Sequence, residues 1–150
     1  MNAIGEWADD PDDWTPDPDL PAADAAPAAE ATPELQYGSV DEFVREIIVP
    51  VFRRKVAARN ASRWDAEWWR YPEAVIRLEA LWRAWEHLRL DPATGMSVWL
   101  RDHADHHLTV LFSDEGRFGK SSDTSDHGSP LPYTPPPESL FPDVRARSIE

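Results

Sequence analysis

Between residues 39 and 112 apolar positions recur at helical spacing, broken where proline or a polar cluster would stop a helix. Ser39 followed by Glu42 is a capping box, in which the hydroxyl takes the backbone N–H of Glu42 and the carboxylate reaches back. Behind it Val40, Phe43, Val44, Ile47, Ile48 and Val51 share one helix face. Pro50 sits inside that pattern, and its missing N–H predicts a kink or a split near residues 46–49. After a break at residues 60–62, Ser62 and Asp65 predict a cap for a short helix carrying Trp64, Trp68 and Trp69. Tyr71 precedes a proline and is biased away from helix, whereas Pro72 suits the first position of the next one.

In that next helix Val75, Leu78, Leu81, Trp82, Trp85 and Leu88 make a continuous stripe. Glu73 with Arg77 and Glu79 with Arg83 are i,i+4 pairs in the favourable order, and His87 and Arg89 complement the C-terminal end. A second strip of Ile76, Ala80, Ala84 and His87 is small enough for another helix to approach. Residues 91–95, DPATG, predict a turn, with Asp91 or Thr94 capping a helix through Met96, Val98, Trp99 and Leu100. Residues 105–118 admit two readings. The favoured one is a helix capped by Asp105 with Leu108, Leu111 and Phe112 on one side; the alternative is a short β-hairpin over 108–118 turned at Asp114, Glu115 and Gly116. The pattern as a whole predicts a mainly α fold, a small helical bundle of three to five helices.

Composition sets limits on this bundle. The chain has 150 residues and a net charge of -13, but the charge is uneven. Residues 1–36 hold ten acidic residues, no Lys or Arg and six prolines; residues 37–120 hold 13 acids and 13 bases; residues 121–150 hold five acids, two bases and six prolines. The expected division is therefore a disordered acidic arm over 1–36, a helical Trp-rich domain over 37–120 and a disordered Pro-rich tail over 121–150. Trp7 and Trp14 among the arm's aspartates have the look of an acidic interaction motif, and a solubilising tail is the plainer reading. Pro132 and Pro135 have P-x-x-P spacing, read as a spacer rather than an SH3-type ligand. Six of the eight tryptophans fall in the central stretch, where they supply core volume beside the aliphatic stripes.

Several chemistries lack their residues. With no cysteine, disulfides, iron–sulfur clusters and Cys-based zinc sites are excluded. No G-x-S-x-G nucleophile turn and no glycine-rich phosphate loop occurs. Neither a secretory signal nor an apolar run of membrane length is visible, so a cytoplasmic location with no membrane span is expected. The densest polar cluster is Asp102, His103, Asp105, His106 and His107. His103 and His107 on one helix could share a metal, with Asp102 or Glu86 completing the set, but no H-E-x-x-H is present. Capping and surface pairing explain the same residues, so no cofactor is expected.

Arg53, Arg54, Lys55, Arg59 and Arg63 put five cations within eleven residues, close to tryptophans that could stack on bases. That makes Arg53, Arg54, Arg59 and Arg63 the candidate nucleic-acid contacts. Consecutive residues on a helix diverge by about 100°, which stops residues 53–55 from facing one ligand, and a neutral central domain argues against a dedicated nucleic-acid module. For the same angular reason Trp68 and Trp69 serve different contacts, and Trp68, Trp69 and Arg70 are the candidate protein-partner residues.

The motif string W-W-R-Y-P-E-A, L-W-R-A-W-E, D-P-A-T-G-M-S-V-W and R-D-H-A-D resembles an uncharacterised actinobacterial family, a domain of unknown function. Members of that family are often found beside conjugation and type IV secretion-like genes on mobile elements. Where the family pattern has Pro after R-D-H-A-D this chain has His106, which implies that the position starts a helix and argues against His106 as a ligand. The expectation is a non-enzymatic accessory or adaptor protein that binds a protein partner. A weak nucleic-acid binder and a metal-dependent enzyme around His103 and His107 are the alternatives.

Overall fold

The computed structural model describes residues 32–149, with side chains described to residue 147. Most of the acidic arm, with Trp7 and Trp14, lies outside the described residues. Three helices form: α1 over residues 40–51, α2 over Pro72–Leu88 and α3 over residues 95–112. Among the described residues there is no sheet, only isolated bridges from Val56 to Ser62 and to Ser125. The molecule is mainly α.

In α1 the Ser39 hydroxyl accepts the Glu42 N–H at 3.1 Å, as the capping box requires. The carboxylate of Glu42 closes the box one residue early, on the Gly38 N–H at 2.8 Å. Pro50 does not split the helix. Instead Val44–Ile48 widens into a π segment, with the Val49 N–H reaching the Val44 carbonyl; such a turn accommodates a residue that can neither donate nor tolerate the carbonyl four back.

Helix α2 starts at Pro72 after an extended Tyr71, as its sequence predicts. It touches both other helices. The rings of Phe43 and Phe52 in and after α1 lie 6.3 and 6.2 Å from that of Trp99 in α3, so all three helices meet. The α2–α3 turn is tight: the Asp91 carboxylate accepts the N–H groups of Ala93 and Thr94. Gly95 is buried against the Leu88 carbonyl, with which any Cβ would collide. Helix α3 carries its own π segment, Trp99–Ala104, closed by the Asp105 N–H on the Leu100 carbonyl. The extra residue moves the inward face from 103 to 104, so Ala104, Leu108, Leu111 and Phe112 follow Trp99 into the core.

That burial period of 3.6 residues overturns the β-hairpin reading of 108–118. Asp105–Phe112 is helical, and the chain then turns through a 3₁₀ segment, Arg117–Lys120. The short helix expected after Ser62 is likewise only a 3₁₀ turn, Trp68–Arg70, because the backbone of Ser62 is occupied in pairing with Lys55 and Ala57.

Two boundaries move. Glu34–Glu150 forms one compact unit, so the domain begins before residue 37 and continues past residue 120. At its start, buried Glu86 in α2 accepts the N–H groups of Gln36 (3.0 Å) and Tyr37 (2.8 Å), the Arg89 guanidinium (2.8 Å) and the Trp82 indole (3.3 Å). The segment 121–147, expected as a disordered tail, is a strap packed along the core. Ser125 pairs in both directions with Val56, the Leu131 N–H donates to the Val49 carbonyl, and Leu131 is only 2% exposed. Val144 and Arg145 then bond back to Gly38, Gln36 and Glu42.

Candidate functional site

The R-W-D-A-E-W-W-R stretch, residues 63–70, is the junction of helices and strap. Trp64 is fully buried between Phe112 and Phe118, at ring distances of 5.9 and 5.2 Å, and its indole N–H donates to the Pro132 carbonyl at 2.8 Å. Asp65 accepts the Glu67 N–H and the Tyr71 phenol, and that bond, with burial, raises the Tyr71 phenol above its ordinary range. Trp69 is half-buried and donates its indole N–H to the Thr134 carbonyl at 3.1 Å; Thr134 donates in return to Ala66. Trp68 is fully buried under Phe141, the rings stacked at 5.4 Å and 17°. Of the three residues expected to meet a partner, Trp68 is thus removed from the surface, because its ring is needed to hold the strap. Trp69 is engaged by the strap, and Arg70 is exposed and paired with Glu67 at 2.9 Å.

The basic run is dispersed. Arg53 donates to the carbonyls of Pro50 (2.9 Å) and Gly128 (2.7 Å). Arg54 lies over the Phe112 ring at 4.0 Å, and burial lowers its pKa. Arg63 points to the Ser121 carbonyl at 3.4 Å, while Arg59 is exposed. Two of the four expected phosphate contacts are therefore committed to carbonyls of the strap, and a third to an aromatic face.

Nor do the histidines converge on a metal site. The Nδ1 atom of His107 lies 3.0 Å from the Arg77 guanidinium. Burial first, then that cation, hold the His107 imidazole below its ordinary range, and the same cation opposes a metal ion. No group of three His, Asp or Glu side chains suited to a metal occurs among the described residues. Arg77 is in turn oriented by Glu73, which also binds Arg117 at 2.8 Å. With the core register shifted onto Ala104, His103 is left half-buried at the rim.

Large apolar side chains are exposed at Ile76 and Leu90 of the α2 region, at Leu140, and at the end of α1 and the start of α3. Val51 is 62% exposed, Met96 38% and Leu100 42%. Val51 and Leu100 each neighbour in sequence one ring of the Phe52–Trp99 contact, and Met96 lies one turn before Leu100. Val51 belongs to the apolar stripe of α1, of which it is the member left uncovered.

A family model described as a domain of unknown function (DUF4913) matches residues 37–137. The chain belongs to that family. The matched span covers all three helices of the DUF4913 domain and runs on into the strap, past both carbonyls that receive the indole N–H groups of Trp64 and Trp69. No curated protein and no solved structure matches the chain. No helix among the described residues is long and apolar enough to cross a membrane.

Sequence reasoning missed the residues that organise this DUF4913 domain most directly. Glu86 reads only as a residue that could complete a set with His103 and His107, since nothing local shows that its backbone partners lie about fifty residues away. Leu131, Tyr133, Leu140, Phe141 and Val144 are the signal in the strap: large apolar residues in and beside a proline run that a pure spacer would not need.

Proposed function

We propose that this domain is a non-enzymatic accessory module that binds a protein partner through the apolar seam of Val51, Phe52, Met96 and Leu100. The exposure of the first, third and fourth of these around a single aromatic contact carries the reading. Exposed apolar side chains beside an aromatic contact are the kind of surface that a partner desolvates. The likeness to a family found near conjugation genes suggests seeking that partner among proteins of mobile or conjugative elements.

The test is crosslinking and co-purification from the organism of origin with wild type and with a Val51→Asp/Leu100→Asp variant. Both substitutions lie on the surface, so the variant is expected to keep the wild-type circular dichroism spectrum and a cooperative melt. A partner retained by wild type and lost by the variant supports the reading. An identical set of partners in both, or a hydrolytic activity abolished by substitution of His103 or His107, overturns it.

A further inference from the structure

We infer that the tryptophans of residues 64–69 form a groove for a proline-rich peptide, and that the chain's own segment 131–141 occupies it in cis. Proline-rich ligands are recognised by a surface of aromatic side chains whose donors meet the ligand's backbone carbonyls, because an extended proline run offers carbonyls and little side-chain chemistry. The strap is held in just this way. Its Pro132 and Thr134 carbonyls accept the indole N–H groups of Trp64 and Trp69, Leu131 fills the core beside them, and Phe141 lies on Trp68. Pro132, Pro135, Pro136 and Pro137 restrict φ in advance, so little entropy is lost on seating.

The fit of this occupant is incomplete. Trp68 Nε1, on the tryptophan between the two that donate to the strap, is buried and has no hydrogen-bond partner among the described residues. Such a donor costs free energy that an acceptor would recover. A proline-rich segment of another protein that places a carbonyl there makes a bond that the cis segment does not. The stretch of the strap just before this segment favours exchange, since residues 126–130 are exposed, follow no regular structure and include Gly128, around which space is open. This site uses residues other than the Val51–Leu100 seam, and it stands whether or not that seam binds a partner.

The experiment uses the full-length protein and a synthetic peptide of residues 130–141, with a scrambled peptide as control. The tryptophan indole N–H resonances are followed by NMR. A tethered strap competes at an effective concentration of about millimolar, so wild type is expected to bind the peptide only weakly. Tyr133→Phe with Phe141→Ala loosens the strap and is expected to tighten peptide binding at least tenfold, with shifts of the Trp64 and Trp69 indole signals. Adding Trp69→Ala is expected to weaken it again. Should the loosened variant unfold, a protease site inserted at 127–129 of otherwise wild-type protein replaces it: after cleavage, labelled peptide is expected to displace the strap faster than the domain unfolds globally. Equal affinity for wild type and loosened variant, equal binding of the scrambled peptide, or displacement only at the global unfolding rate would overturn the inference. So would a concentration-dependent dimer in place of peptide binding, which would assign the groove to a second copy.

Discussion

In helix α2 seventeen residues form a single regular helix, with burial falling on Ala74, Leu78, Leu81 and Trp82 at the helical period. The strap over 121–147 has no such repetition before its closing 3₁₀ turn. Its order comes from separate anchors: the Ser125 pairing, buried Leu131, two indole donors, the Tyr133 phenol on Asp41 at 2.8 Å and the Phe141 stack. An amphipathic helix needs only one complementary face to settle on. A proline-rich run cannot pay its ordering entropy that way, so each anchor must come from the rest of the domain.

The largest effect is expected where α2 passes into α3. Gly95→Ala drives a Cβ into the Leu88 carbonyl, a backbone atom that cannot step aside, and should cost more than about 3 kcal/mol in urea denaturation. Next comes Leu131→Ala, expected to cost about 2 to 3 kcal/mol, comparable to a core residue of α2 such as Leu78→Ala. A cost near zero would return the strap to the status of a tail and end the comparison.

Glu86→Gln tests the carboxylate through which α2 holds residues 36–37, with an expected loss of roughly 2 kcal/mol at neutral pH. Burial pushes the Glu86 pKa up, but the Tyr37 and Gln36 amides and Arg89 outweigh it and hold it below the usual carboxylate range. Its contribution is therefore full above the unfolded value of about 4.3 and fades as pH falls through the lower folded value. Urea melts between pH 6 and 3 should show wild type losing its advantage over the variant in that window.

The smallest effect is Tyr133→Phe, about 1 kcal/mol at neutral pH for the bond to Asp41. Burial and that bond push the phenol up to about 12. A raised folded pKa means stability present below the unfolded value of about 10 and lost as pH rises toward 12. Alkaline melts should show the two proteins converging there, and a constant difference would place the phenol outside the strap's anchoring.

Much of the helical frame was legible along the chain. The Ser39 cap, Pro72 at the start of α2, the Asp91 turn and the apolar stripes are local features, decided by residues within a turn or two of one another. The candidate surfaces were less so. Trp68 was read as a partner residue because tryptophan chemistry is the same buried or exposed, and only the strap's Phe141 decides between them. His103 and His107 kept the spacing of a ligand pair, but a π turn moved the core onto Ala104 and Arg77 came to rest against His107.

By itself, then, the sequence determined the mainly helical character, the apolar stripes, the Ser39 cap, the helix start at Pro72 and the absence of thiol chemistry, since periodicity and residue type act over a few residues. Only the tertiary structure decided that residues 121–147 belong to the domain, that Glu86 is a buried acceptor and that the Trp68 indole N–H has no partner among the described residues. Those outcomes depend on atoms brought together from about fifty to one hundred residues apart, and no local pattern encodes where such atoms will meet.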